Sequence, residues 1–106
     1  MIKSILTPTR NRPANCERFI KSVYNSARTK KNVEMLFYVD SDDPAIDAYK
    51  SLHWHAQKEY EGFKKIEFVF GNPMSVSKSW NIIAERCEGD VLIMGNDDLV
   101  YQTDGW

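Results

Sequence analysis

Between Val33 and Val39 the chain reads VEMLFYV, apolar at nearly every position. A strand with one face in water alternates apolar and polar residues. A run without that alternation belongs in a sheet covered on both faces, and such sheets are parallel, with helices as the cover. Three further β-like runs accompany it: Ser4 to Thr7, closed by Pro8; Ile66 to Phe70, followed by the breakers Gly71-Asn72-Pro73; and Val91 to Met94.

Helical patterns fill the gaps between these runs. From Pro13, the apolar residues Cys16, Phe19, Ile20, Val23, Tyr24 and Ala27 recur at the spacing of one helix face, with proline in the first turn where its missing N–H costs nothing. A second helix is expected from about Pro44 to Tyr60, with Asp43 as its N-cap and Ile46, Tyr49, Ala56 and Tyr60 on one face. A third is expected after Ser75, with Val76, Trp80, Ile83, Ala84 and Cys87 facing inward and Gly89 ending it. The order is strand, helix, strand, helix, strand, helix, strand. It predicts an α/β domain built on a mostly parallel sheet with helices on both faces.

In such a sheet every strand's carboxyl end points to one rim, and ligands bind there. The segments after the four runs are residues 7–13, 40–43, 71–75 and 95–98. They gather Arg10, Arg12, Asp40, Asp42, Asp43, Asp97 and Asp98. Arginine forks match phosphate oxygens, and the start of the helix near Pro13 adds a favourable dipole. Two solvated loop arginines would read the same way. Asp40 stands directly at a strand end, where a carboxylate can accept from the N–H edge of a base or from ribose hydroxyls. Hard cations such as Mg²⁺ or Mn²⁺ take carboxylate oxygens together with substrate phosphates, which suits Asp97 and Asp98. The same pair also fits a turn in which an aspartate hydrogen-bonds its own backbone.

Composition narrows the partners. The net charge of −1 gives no bulk attraction to nucleic acid, although residues 1–31 hold eight basic side chains against the single acid Glu17. No apolar run approaches the about 20 residues that span a bilayer, and the N-terminal apolar stretch is too short for a secretory signal. Cys16 and Cys87 each sit at an apolar helix position and read as free thiols in a reducing compartment, so the expected location is the cytoplasm. There is no G-x-x-x-x-G-K-[ST], no G-x-G-x-x-G and no Gly-x-Ser-x-Gly, which argues against P-loop, dinucleotide and serine-hydrolase chemistry. His53 and His55, two apart on a helix, make a poor metal pair.

Together, SILTPTRNRP, FYVDSDDP and SVSKSWNIIAERCEGDVLIMGNDDL resemble the nucleotide-sugar-binding half of the inverting GT-A-type glycosyltransferases. The resemblance covers nearly the whole chain and implies the Rossmann-like half of that fold. It implies that Thr7, Pro8, Thr9, Arg10 and Arg12 form a nucleotide-contacting loop. Asp40 would meet the base, with Asp42 beside it, and Lys78 and Asn81 on the third helix would also serve the nucleotide. Asp98, with Asp97 assisting or reaching the ribose, would hold Mn²⁺ or Mg²⁺. Asn96 stands where the family's first metal acid is expected, so the metal should be held weakly until the diphosphate completes its shell. The resemblance places acceptor loops and the catalytic base beyond the metal motif, in a domain of about twice this length. The expectation is therefore one truncated domain over residues 1–106 that binds a nucleotide-diphosphate sugar for an acceptor the residues do not name, with exposed sheet edges able to pair two copies. A non-catalytic sugar-nucleotide-binding module is the alternative. A nucleotidyltransferase is a third reading, but no glycine-rich basic loop follows the first strand.

Overall fold

A computed structural model describes residues 2–95. The elements run β1 (Lys3–Thr9), α1 (Pro13–Ser26), β2 (Val33–Asp40), α2 (Ile46–Glu59), β3 (Lys65–Gly71), α3 (Val76–Arg86) and β4 (Val91–Met94), with a short 3-10 turn at Lys30–Asn32 before β2. The four strands form one sheet in the order β3-β2-β1-β4, and every pair is parallel. The alternating pattern of the sequence is thus the architecture of the chain.

Side-chain alternation along β2 sorts the core into two layers. Val33, Met35, Phe37 and Val39 face α1 and α2, where they meet Phe19, Ile20, Val23, Tyr49 and Ala56. Leu36 and Tyr38 face the other way, onto Ile83 and Trp80 of α3. Because both faces are covered, β2 is buried along nearly its whole length. In the larger layer Phe37 stacks on Phe68 at 4.7 Å, and Tyr24 sets its edge against Tyr60 and Phe63. Leu52 joins Tyr49 and Ala56 on the buried face of α2, an addition to the face read from the sequence.

Glu34 is the exception within the apolar run. It points to the α3 side and is completely buried. Its Oε1 accepts from Ser4 Oγ and from the Glu88 backbone N–H, each at 2.6 Å. Its Oε2 lies 3.9 Å from Lys65 Nζ, which also donates to the carbonyl of Arg86. A carboxylate can enter an apolar interior when neighbouring donors and charges offset its desolvation. Here β1 and the turn into β4 supply the hydrogen bonds to Oε1, while Oε2 has no hydrogen-bond partner among the described residues and faces only the Lys65 charge of β3. Gly89 belongs to the same turn. A Cβ there would fall 1.9 Å from Ser4 Oγ and 2.9 Å from the Ser4 nitrogen, so only glycine lets the chain pass this close to β1.

Two boundaries differ from the sequence reading. The first strand does not close at Pro8 but continues to Thr9, paired with Val39. The carbonyls of Ile2 and Leu6 accept from the β4 side, from Val91 and Gly95, so the two-residue alternation turns the proline nitrogen to that side too. The described β1–β4 ladder ends at Leu6 and Met94, so the missing N–H interrupts no described pair. The second correction concerns Asp43. It is not the N-cap of α2: the helix starts at Ile46, with Ala45 as N-cap and no side-chain cap. Asp43 instead closes the turn before the helix, Oδ1 accepting from the Ala45 N–H at 2.8 Å. Ser75 does cap α3 as expected, accepting from the Lys78 N–H.

Both sheet edges are visible. On β3 the outward Phe68 N–H donates to His53 Nδ1, and Gln57 Nε2 donates to the carbonyl of Ile66, so two side chains of α2 cover that edge. On β4, Val91, Leu92 and Met94 are exposed. Cys16 is buried and Cys87 half-buried, and both are free thiols. Among the described residues no helix is long and apolar enough to cross a membrane.

Candidate functional site

From β1 the chain moves through β2 to β3 in one direction, then returns to the far side of β1 as β4. The strand order therefore reverses between β1 and β4, and the carboxyl ends of the strands at such a switch point are where an open sheet of this kind takes a ligand. The polar groups of the sequence are concentrated at this rim.

Its centre is a three-residue charge cluster. Arg10 Nη1 donates to Asp40 Oδ2 at 2.8 Å and to Asp42 Oδ1 at 3.0 Å. The two acids hold the guanidinium firmly protonated, the hydrogen bond to Asp42 contributing most. Asp40 is the sheltered member, its side chain 18% exposed against 59% for Asp42. Tyr38, two residues before Asp40, donates its hydroxyl to the carbonyl of Asn72 at 2.7 Å, and burial with the nearby Asp40 charge pushes that phenol up.

The loop bearing Arg10 is tied down on both sides. Asn11 adopts a left-handed backbone, φ 51°, and its N–H donates to Asp43 Oδ2 at 2.7 Å. The Arg12 N–H donates to the Tyr49 hydroxyl at 2.8 Å, and that hydroxyl also pairs with Thr9 Oγ1 at 2.8 Å. Tyr49 is fully buried, and burial pushes its phenol up. A non-glycine residue at positive φ is sustained where surrounding contacts fix it, and Asp43 and Tyr49 supply them. Asp43 thus joins two loops at once, binding Asn11 with one oxygen and Ala45 with the other.

The remaining candidates are spread along the rim. Thr7 is fully buried, and its hydroxyl has no hydrogen-bond partner among the described residues. A Cβ on Gly95 would come within 2.3 Å of that hydroxyl and 2.9 Å of Ile5 Cγ2, so glycine is needed where β4 ends against β1. Trp80 Nε1 donates to the carbonyl of Leu6, which also accepts from the Gly95 N–H, fixing α3 to the same junction. Pro8 is half-buried and Arg12 exposed. Lys78 and Asn81 are exposed on α3, and among the described residues the hydrogen bonds of the Arg10 cluster run to Asp40 and Asp42 and not to them. Asn96, Asp97 and Asp98 lie outside the described residues, and among the described residues no cluster of three or more His, Cys, Asp and Glu could hold a metal. A groove of about 380 Å³ between α1 and α2, lined by Ala14, Ala48, Leu52 and His55 among others, includes none of the rim carboxylates.

Tyr49 and the second role of Asp43 are not evident in the sequence. Tyr49 registers there only as an apolar helix position; its hydroxyl, a polar atom on that buried face, is the available signal.

An open parallel sheet with helices on both faces and its charged groups collected at the switch-point rim defines a Rossmann-like α/β domain of the GT-A class. The chain belongs to glycosyl transferase family 2, whose model matches residues 4–106. No protein of curated function matches it. Among solved structures it is similar to TarS 1-349 of S. aureus, with a TM-score of 0.67 and 18% identity, covering 92% of this chain and 28% of TarS 1-349. TarS 1-349 in complex with UDP matches equally, and its complex with UDP-GlcNAc matches at 17% identity and TM-score 0.67. At such identity the likeness is one of fold. This chain spans about a quarter of the length of these structures.

Proposed function

We propose that this chain binds the donor of a sugar-transfer reaction, a uridine diphosphate sugar, with its base at Asp40 and its diphosphate toward residues 7–12. Family membership and the UDP and UDP-GlcNAc complexes of TarS support the class of donor. The observation that carries the reading is the half-sheltered Asp40, held by Arg10 at the end of β2 and beside a loop whose backbone is fixed. A carboxylate so placed accepts a base N–H without first having to be ordered. Thr7, Pro8, Thr9, Arg10, Arg12, Asp42, Lys78, Asn81 and Asp97 complete the proposed nucleotide contacts. The reaction would move the sugar from the diphosphate to an acceptor hydroxyl. Pairing of two copies through sheet edges would have to use β4, since His53 and Gln57 already occupy the edge of β3.

Asp40→Ala is expected to weaken UDP and uridine binding alike, by tenfold or more, about 1.4 kcal/mol or above. Calorimetric titration of both ligands checks this, and an unchanged uridine affinity would remove Asp40 from the base contact.

The proposed cation, Mn²⁺ or Mg²⁺, would be held by Asp98 with Asp97. Carboxylate oxygens are the ligands such ions take, and Gly95, closed tightly against Thr7 and Ile5, gives the segment leading to both acids a fixed starting point. A bound divalent ion offsets the charge of the departing diphosphate. Mn²⁺ is therefore expected to tighten UDP binding more than uridine binding, and Asp98→Asn to erase that difference. Persistence of the Mn²⁺ effect in Asp98→Asn and Asp97→Asn alike would assign these acids to a turn.

A further inference from the structure

Arg10 is bonded to Asp40 and Asp42 through one nitrogen only, Nη1. Among the described residues its Nη2 and Nε have no partner, and the side chain is 52% exposed. Asp40 is engaged through one oxygen only, Oδ2, which leaves Oδ1 without a hydrogen bond among the described residues. The ion pair therefore presents an acceptor and a donor side by side at the end of β2. Both are restrained: Asp42 is a second acceptor for the same Arg10 nitrogen, the backbone next to Arg10 is fixed by Asp43 and Tyr49, and the end of β2 is joined to that of β3 through the Ser41 N–H and the Gly71 carbonyl.

We infer that Arg10 and Asp40 together read the imide edge of a uracil base, Asp40 Oδ1 accepting the ring N–H and Arg10 donating to a carbonyl that flanks it. This rests on the uridine diphosphate reading above and gives Arg10 a specific place in it, on the base rather than the phosphates. The chemistry is that of a two-point fork: an N–H beside a C=O meets an acceptor beside a donor, and both bonds are assisted by charge. Paired contacts of this kind discriminate between base edges in a way that a single contact does not. Arg10 can act on the base without leaving Asp40, because the nitrogens it would use are not those it gives to the carboxylates.

The test uses UDP, 2-thio-UDP and 4-thio-UDP with the wild-type chain and Arg10→Met, read by calorimetry. Sulfur is a poor hydrogen-bond acceptor, so each thio compound weakens one flanking carbonyl and leaves the N–H in place. In the wild-type chain one of the two thio compounds is expected to bind at least fivefold more weakly than UDP. In Arg10→Met that penalty disappears, and UDP itself binds about tenfold more weakly. A purely structural role for Arg10 would lower all three affinities together and preserve the ratios, which overturns the assignment. Equal binding of all three compounds by the wild-type chain overturns it as well, whether or not the variant folds. Tighter UDP binding by Arg10→Met would show Arg10 to be an obstacle rather than a reader. If the wild-type chain binds none of the three, the donor-site reading itself fails, and the assignment of Arg10 falls with it.

Discussion

Replacing Glu34 with alanine is expected to remove about 3–5 kcal/mol of stability, the usual cost of deleting one member of a buried charged network. Its carboxylate is completely buried and supplies the acceptor for Ser4 Oγ and the Glu88 N–H. Without it the buried Ser4 hydroxyl and the part-buried Glu88 N–H lose their acceptor, and a cavity opens between β2 and the turn into β4. For a domain whose total stability is about 5–15 kcal/mol, a loss of this size is readily seen in urea unfolding. Glu34→Gln keeps the shape and the accepting oxygen, so its cost should be much smaller. A Glu34→Ala midpoint that places the loss below about 1 kcal/mol would show that Ser4 and Glu88 find other partners.

The second large effect is expected at Asp43. Its two oxygens receive the N–H groups of Asn11 and Ala45, and hydrogen bonds to charged groups contribute about 1.5–3 kcal/mol each. Asp43→Ala should therefore cost about 3 kcal/mol. It should also release the left-handed backbone of Asn11, which stands next to Arg10, so UDP binding should fall with stability. Asp43→Asn retains one good acceptor and turns an N–H₂ toward the other donor, and about half the loss should remain. Parallel unfolding and binding titrations separate the outcomes. If Asp43→Ala is destabilised while UDP affinity is unchanged, the loop is held for folding and not for the ligand.

The architecture is largely legible in the sequence because its signals are local. The run from Val33 to Val39 has the form of a doubly covered strand, and the helix patterns between the runs call for parallel pairing. Charge at the rim follows from that topology, since the loops after parallel strands share one edge. What the sequence hides are contacts between positions far apart in the chain. Nothing near Arg10 shows that it will meet Asp40 and Asp42, 30 and 32 residues on, and nothing near Tyr49 shows that its hydroxyl will receive the Arg12 N–H. Glu34 is concealed within an apolar run because carboxylates are seldom fully buried, and its two donors, Ser4 and the Glu88 N–H, come from far off in the chain. Pro8 misleads for a related reason: whether a proline ends a strand depends on which side its nitrogen faces, and that is set by strands elsewhere in the sequence. Asp43 followed by Pro44 has the form of a helix start, but the carboxylate reaches back to a second loop as well as forward.

The position of β1 between β2 and β4 also orders the folding of this domain in time. The β1–β4 ladder joins residues 88 positions apart, as in Lys3 with Val91, whereas β1 with β2 and β2 with β3 close over about thirty. Loop closure over longer separations is slower, so the three-stranded half with α1 and α2 is expected to form first. Until α3 and β4 arrive, Leu6, Leu36 and Tyr38 face solvent on one side of that half, and β1 presents an open edge. The partly built sheet is the species most prone to associate with itself. Ser4 and Glu34 wait there for the Glu88 N–H, so the contact that ends this exposure is the buried carboxylate closing on the last turn of chain before β4.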